Sequence, residues 1–422
     1  MRIHRLVGAF LAVVVFSPVL VVCNAAVAET PPGHPVRKSI PTTNAVPRPT
    51  PAFPLSTQGR WIVDAHGKRV RLASVNWFGA ESPEFVVGGL DKASLSYITT
   101  WIAGHGFNSI RLPWSNEMVE KNPVVKSEYL SANPDLKGLR ALEIYDRVVA
   151  AAAAAGLMVV LDNHRSSADW CCDEKHGDGL WHSAAHPESA WIKDWKTMAA
   201  RYRSQPAVVA AELRNEIRPD PAVSKKKPSW GDGDSVTDWK RAAELGGNAV
   251  LATNPNLLVV IGGLEYQGNL EPIFTNPARL SRSDKTVYAA HDYSWFHSKE
   301  ELASFSTYRE SMDRKVGAML APDAAVKAPL YLDEFGTCGE NKCTAEEIKY
   351  VALATKYLRQ TDADWAYWPV NGTQSAGYDR AHGDPENYGV LDDSWQRDGH
   401  DEILGFLMGV QKARQGPGVA HL

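Results

Sequence analysis

Ala210-Ala-Glu-Leu-Arg-Asn-Glu-Ile-Arg-Pro219 closes an apolar run that begins at Val208, and it ends in an amide and a carboxylate set side by side, Asn215 and Glu216. A short buried strand that hands its last polar residues to an open rim is how parallel barrels build active sites, at the C-terminal ends of their strands. The same form recurs in Pro329-Leu-Tyr-Leu-Asp-Glu-Phe-Gly-Thr337, where Pro329 to Leu332 read as a second buried strand and Glu334 stands at its end. Two carboxylates so placed are candidates for paired acid and base work.

Working outward, runs of strand length alternate with helix-length segments, the order that calls for parallel pairing with right-handed crossovers. The runs are SIRLPWS, LMVVLDNH, VVAAELRNE, LLVVIGG, TVYAAHDYS, PLYLDEFG and DWAYWPVNG, and a strand ending at Ser74-Val75-Asn76-Trp77 makes the eighth. A hairpin of Arg60 to Val63 and Arg69 to Leu72 around Asp64-Ala65-His66-Gly67 is expected ahead of it. Amphipathic segments at Leu95 to Gly104, Leu139 to Ala155, Ala190 to Arg203 and Ala345 to Leu358 can each cover a face of the sheet. Polar or aromatic residues stand at nearly every strand end: Asn76, Arg111, His164, Asn215, Glu216, His291, Tyr293, Glu334 and Trp368. A closed barrel brings all of them to one rim. An open doubly wound sheet would need a Gly-rich phosphate turn, and neither G-x-G-x-x-G nor a P-loop occurs. The fold class read from the sequence is therefore α/β, a (β/α)8 TIM barrel forming a single catalytic domain over residues 56–422.

Before that domain, Arg2 and Arg5 precede an apolar run from Leu6 to Val22, and Ala26-Val27-Ala28 supplies a small-x-small cleavage site. Residues 1–28 read as a signal peptide for export, with an uncut anchor as the alternative. Residues 29–55, rich in Pro and Thr, read as a disordered spacer. Of five cysteines, four lie beyond the signal segment: Cys171, Cys172, Cys338 and Cys343. An even number in an exported chain suggests two disulfides, with three pairings open. Adjacent Cys171 and Cys172 are badly placed to bridge each other, whereas Cys338 and Cys343 could close a small loop. A bridge from Cys171 or Cys172 to the Cys338 loop would stiffen a cleft wall formed by Asp169 to His182.

The formal net charge of −4 over 422 residues gives no reason to expect nucleic acid or an anionic membrane as partner. Fourteen Trp and fourteen Tyr offer flat apolar faces of the kind that stack on sugar rings, although most must be core.

In this order and on these strands, the Arg of SIRLPW, the His of LDNH, the Asn-Glu of LRNE, the His-x-Tyr of HDY, the Glu of DEFG and the Trp of AYWPV resemble glycoside hydrolase family 5, the cellulase-type retaining β-glycosidases, over about Arg60 to Val410. LDNHRSSADWCC and LRNEIR also resemble a branch of that family found in plants, fungi and actinobacteria. The resemblance implies Glu216 as general acid/base and Glu334 as nucleophile. It further implies Arg111 beside Glu334, Asn215 donating to the sugar 2-hydroxyl, Tyr293 bonding the nucleophile, His164 and His291 orienting sugar or carboxylates, and Trp368 under the reacting sugar. Trp77 and Trp295 are candidates for flanking subsites. No cofactor and no metal are expected, and the substrate is an oligo- or polysaccharide, with endo-β-1,4-glucan the leading choice and other β-glycosides behind it. The chain is expected to be secreted and monomeric.

Two other classes compete. A metal-dependent barrel hydrolase could recruit Asp162, His164, His291 and Asp292, although the first strand lacks the usual His-x-His. A carbohydrate binder without turnover is the third reading, but both glutamates and their neighbours are present. Lys225-Lys226-Lys227 reads as a solvated segment, and Asn371-Gly372-Thr373 as a cleft loop in preference to a glycosylation site.

Overall fold

The computed structural model describes residues 50–172, 177–339 and 343–419. The expected signal peptide and the spacer up to residue 49 lie outside the described residues. The spacer's expected end at residue 55 is too late, because Leu55 is buried and Phe53 packs against the barrel floor.

Eight parallel strands close the barrel: β3 (Ala73–Asn76), β4 (Ser109–Ser115), β5 (Met158–Arg165), β6 (Val208–Glu212), β7 (Leu258–Gly262), β8 (Thr286–Asp292), β9 (Leu330–Phe335) and β10 (Asp364–Tyr367), each beside the next, with β10 returning to β3. Two short antiparallel strands precede them, β1 (Ser56–Gln58) and β2 (Trp61–Val63). The expected hairpin is thus shifted. Asp64 Oδ1 accepts the His66 and Lys68 N–H groups and folds a tight turn, so only one bridge joins Val63 to Arg69, and the following residues run into the barrel floor.

The helices that cover the sheet are α1 (Leu95–Gly104), α2 (Asn116–Lys121), α3 (Ala141–Ala154), α4 (Glu188–Arg201), α5 (Trp239–Thr253), α6 (Phe305–Met312), α7 (Ala345–Thr361) and α8 (Asp401–Met408). Side-chain caps set several of their starts. Ser94 accepts the Tyr97 N–H at the head of α1, and Thr344 and Glu347 form a reciprocal capping box at the head of α7. Asp238 caps α5 and also accepts the N–H groups of Gly231 and Gly233, which ties down the long loop that follows Glu216.

Along each strand, side chains alternate between barrel interior and helix layer. In β5, Val159 and Leu161 join the outer core with Ile98, Val148 and Trp195, while Met158 and Val160 point inward. The lower interior holds Val70, Leu72, Leu258, Val260, Val287, Ala289 and Tyr331, closed from below by Leu55 and Ile62. Each Val, Leu or Ile among them contributes about 1.5–3 kcal/mol by leaving water. One layer higher the interior turns polar, with Arg111, Asp162, Glu212 and Asp333 all at 0% exposure. Charges so deep persist only if paired and hydrogen-bonded, so they must satisfy one another.

A second buried charge cluster sits on the floor side. Arg69 Nη1 reaches Asp364 Oδ1 at 2.9 Å, and the same oxygen accepts the Leu72 N–H at 2.7 Å. Arg71 Nη1 lies 3.2 Å from Asp362, which ends α7 in the left-handed region at φ +55°. Asp364→Ala would leave the Arg69 charge and the Leu72 N–H without that partner, and should lower unfolding free energy by roughly 3–5 kcal/mol. Urea denaturation of the purified variant measures it; a loss within error of zero would remove this pair from the account of stability.

Candidate active site

Arg111, rising from the middle of β4, is the hub. Its Nε and Nη2 donate to the two oxygens of Glu212 at 2.5 and 2.7 Å, a fork on the carboxylate that ends β6. Nη2 also donates to Asn215 Oδ1 at 2.7 Å, and Nη1 to Glu334 Oε1 at 2.6 Å and Asn76 Oδ1 at 3.0 Å. One guanidinium therefore aligns side chains from three strands, β3, β6 and β9, and from the segment that follows β6. Because Asn215 Oδ1 is held by Arg111, its Nδ2 is turned to the cleft, 3.4 Å from His164 Nε2.

Glu334 reaches the cleft through a β-bulge. Against β8, Ala290 pairs with Leu332 and His291 with Glu334, so Asp333 is the extra residue. Strict alternation with inward Tyr331 would turn Asp333 in and Glu334 out; the bulge turns both inward. Asp333 stays below, where burial and the neighbouring Glu212 carboxylate drive its pKa well up and keep it protonated.

Glu216 is placed differently. β6 ends at Glu212, three residues before Asn215, and Glu216 sits at φ +45°. That conformation is costly for a residue with a Cβ and needs external support. Gln267, fully buried, supplies it. Its Oε1 accepts the Glu216 N–H at 2.7 Å, and its backbone carbonyl accepts the His291 N–H at 3.1 Å. Gly262 makes room, since a Cβ there would meet the Gln267 side chain at 2.6 Å.

The two glutamates face each other. Carboxylate oxygens of Glu216 and Glu334, with a nitrogen of His291, lie within 4.8 Å of one another. His291 Nδ1 is 2.8 Å from Glu216 Oε1, and the Tyr293 hydroxyl donates to Glu334 Oε2 at 3.0 Å. Burial lifts both carboxyls to about 7. Arg111 and Tyr293 both donate to Glu334, so the negative charge of the pair belongs there and the proton on Glu216. Burial also lowers His291 to about 4 and holds it neutral.

Above them opens a cleft of about 670 Å³ lined by His164, Asn215, Glu216, Tyr293, Trp295, Glu334 and Trp368, all expected from sequence, and by Trp170, Cys171, Cys172, Tyr266, Arg380 and Tyr388 among others. Trp295 is 61% exposed and stacked on Tyr293, a face open to a ligand. Trp368 lies nearly parallel to Phe78 and to His164. Trp77 is not in the cleft: it is fully buried and donates to the Gly88 carbonyl. Alternation after inward Asn76 requires this, and Phe78, equally buried, packs against Trp170 and Trp368, which line the cleft. Asn371 holds Phe78 by its backbone N–H and carbonyl and is itself buried, as a loop-building role demands.

Of the three pairings left open, the structure has the one without a wall brace, and it includes the adjacent pair that spacing argues against. Cys171 bonds Cys172, and Cys338 bonds Cys343. The Cα atoms of these adjacent cysteines lie 3.1 Å apart. No disulfide therefore joins Cys338 or Cys343 to Cys171 or Cys172.

The four residues of the metal reading do not converge. Asp162 pairs with His164 at 2.7 Å, whereas Asp292 is bonded to His297 and Tyr308 at 2.6 Å each. Glu216, His291 and Glu334 are close enough to ligate a cation, as are Glu212, His291 and Asp333, yet the Arg111 guanidinium already bonds Glu212 and Glu334 and would oppose a second positive charge.

The family described as Cellulase (glycosyl hydrolase family 5) matches residues 63–374. An endoglucanase of Paenibacillus polymyxa is 32% identical over 334 residues, 75% of this chain and 79% of the relative. A glycosyl hydrolase 5 family protein of Chamaecyparis obtusa is 30% identical over 407 residues, 89% and 69% of the two chains. Among solved structures, the catalytic domain of the major endoglucanase from Xanthomonas campestris pv. campestris is similar at TM-score 0.71 and 27% identity, over 85% of this chain and 99% of that one. With a closed eight-stranded barrel and the Arg111, Asn215, Glu216 and Glu334 constellation on its rim, the chain belongs to glycosyl hydrolase family 5 and is an O-glycosyl hydrolase.

Proposed function

We propose that the protein is a secreted endo-β-1,4-glucanase that cleaves by double displacement with retention of configuration. The observation that carries the retaining reading is the approach of the Glu216 and Glu334 carboxylates to within 4.8 Å across one cleft. Retaining enzymes hold their carboxyls about 5 Å apart, and inverting ones leave room for a water between them. Glu334, ionised beside Arg111, attacks the anomeric carbon while Glu216 gives its proton to the departing glycosidic oxygen. Glu216 then takes a proton from water, and the hydroxide so formed displaces Glu334 from the sugar. With its ring hydrogen on Nε2, towards Asp333 Oδ1 at 3.5 Å, neutral His291 accepts from protonated Glu216 through Nδ1.

The choice of β-1,4-glucan is supported by the names of relatives, among them the endoglucanases of Paenibacillus polymyxa and Xanthomonas campestris. An open, aromatic-lined cleft suits an internal segment of a long chain. Proton NMR of the fresh product from a soluble cello-oligosaccharide should show the β-anomer first. An initial α-anomer would defeat double displacement, and faster cleavage of mannan or mixed-linkage glucan would defeat the substrate choice. Export rests on Arg2, Arg5, the apolar run and the Ala26-Val27-Ala28 site; mature protein from culture medium should begin at Glu29.

Tyr293→Phe tests the electrostatics. The hydroxyl bonds the ionised form of Glu334, so its loss raises that group's pKa, and the acidic limb of kcat/KM, where Glu334 protonates, moves to higher pH. A fall of roughly 10²-fold in kcat is expected alongside. A limb that stays in place would mean the tyrosine does not stabilise the charge.

A further inference from the structure

The reaction above gives no part to the Cys171–Cys172 bond, although both residues line the cleft. A disulfide stabilises a fold chiefly by restricting the unfolded chain, more so the longer the loop it closes. This one joins neighbours in sequence and closes no loop, so its effect must be local. Its surroundings are those of the reaction. Both sulfurs lie within 4.8 Å of a Glu216 carboxylate oxygen. Asn215 Nδ2 points at them, 3.6 Å from Cys171 Sγ and 3.7 Å from Cys172 Sγ. Both residues are part-exposed and line the cleft.

The segment leading to them is anchored at several points. Asp169 Oδ1 accepts the Tyr378 N–H, the Arg380 guanidinium lies 3.6 Å over the Trp170 ring, and Phe78 meets that ring edge-on. The pair is therefore presented to the cleft on a held support. A bonded pair of sulfurs is a compact, polarisable, weakly hydrogen-bonding surface, suited to the C–H face of a pyranose.

We propose that the Cys171–Cys172 disulfide is a substrate-binding plate, contacting a glucose ring of the oligosaccharide beside the bond that Glu216 protonates. The bond holds both sulfurs in one rigid body. Two free thiols would each take their own rotamer, and the plate would be lost. The cleft is then fully formed only in the oxidised protein. This rests on the glucanase reading above.

Dithiothreitol provides the test: it breaks the S–S bond, each cysteine sulfur gains a hydrogen, and the reagent leaves as its cyclic disulfide. In the full chain, reduction should lower kcat/KM on cellotetraose on the order of tenfold. Cellotetraose binding, measured by calorimetry in a Glu334→Gln background, should weaken to a similar extent, and both should recover on reoxidation. Cys171→Ala/Cys172→Ala should start at the reduced level and no longer respond to the reagent, which separates the effect from reduction of Cys338–Cys343. Circular dichroism keeps the comparison to folded protein, and the wild-type arm stands even if the double variant does not fold. Unchanged kcat/KM and binding, with Cys171 and Cys172 shown by mass spectrometry to be alkylated, would overturn the plate; so would finding those two as free thiols in native protein. A chain that cleaves cellotetraose equally in both states fails only this proposal. One that neither binds nor cleaves it fails the glucanase reading, and the plate with it.

Discussion

Glu334→Ala should lower kcat on cello-oligosaccharides by ~10⁴-fold or more, because without the attacking carboxylate no glycosyl–enzyme forms. The fold should survive. Arg111 keeps Glu212, Asn215 and Asn76 as partners, so the buried guanidinium is not abandoned. The vacated space also gives a stereochemical test. Azide entering where the carboxylate stood attacks an activated β-glycoside from the α face, and the product is the α-glycosyl azide. A variant with near-normal turnover and an unaltered melting curve would remove Glu334 from the role of nucleophile.

Glu216→Ala should behave differently, and the difference is the evidence for a division of labour. Loss of the acid should lower kcat/KM by roughly 10²–10⁴-fold on substrates whose leaving group needs a proton. A dinitrophenyl glycoside, whose leaving group needs none, should still glycosylate Glu334 at a rate near that of the unmodified enzyme. Deglycosylation then becomes slow, and azide, which needs no general base, should speed it and leave as the β-glycosyl azide. The same substitution should abolish the alkaline limb of the pH profile, since that limb reports loss of the Glu216 proton. If the two alanine variants gave the same azide anomer and the same dependence on leaving group, the role assignment would fall.

Much of the fold was legible because it follows from periodicity. Eight apolar runs of strand length, spaced by amphipathic segments, leave a parallel barrel as the arrangement that buries them all, and every run became a strand. Polar residues at strand ends then had one rim to occupy. Trp77 was legible too, had alternation been followed past Asn76: an inward asparagine sends the next side chain outward. Glu212 and Asp333 are acids inside apolar strands on the inward phase, which burial tolerates only beside a cation, as Glu212 is beside Arg111, or in the protonated form, as Asp333 is.

Residue order alone was enough for the barrel, its rim and the two glutamates placed at or just beyond strand ends, because hydrophobic period is a local property that survives without coordinates. Tertiary structure decided where those carboxylates aim. Period-2 alternation would turn Glu334 away from the cleft, and a bulge at Asp333 reverses it; Glu216 lies beyond its strand in a left-handed conformation that Gln267, fifty-one residues later, holds in place. The pairing of Cys171 with Cys172 likewise depends on a backbone geometry that residue spacing argues against. Each of these is a departure from the regular element, stabilised by contacts distant in the chain, and such contacts exist only once the barrel has closed.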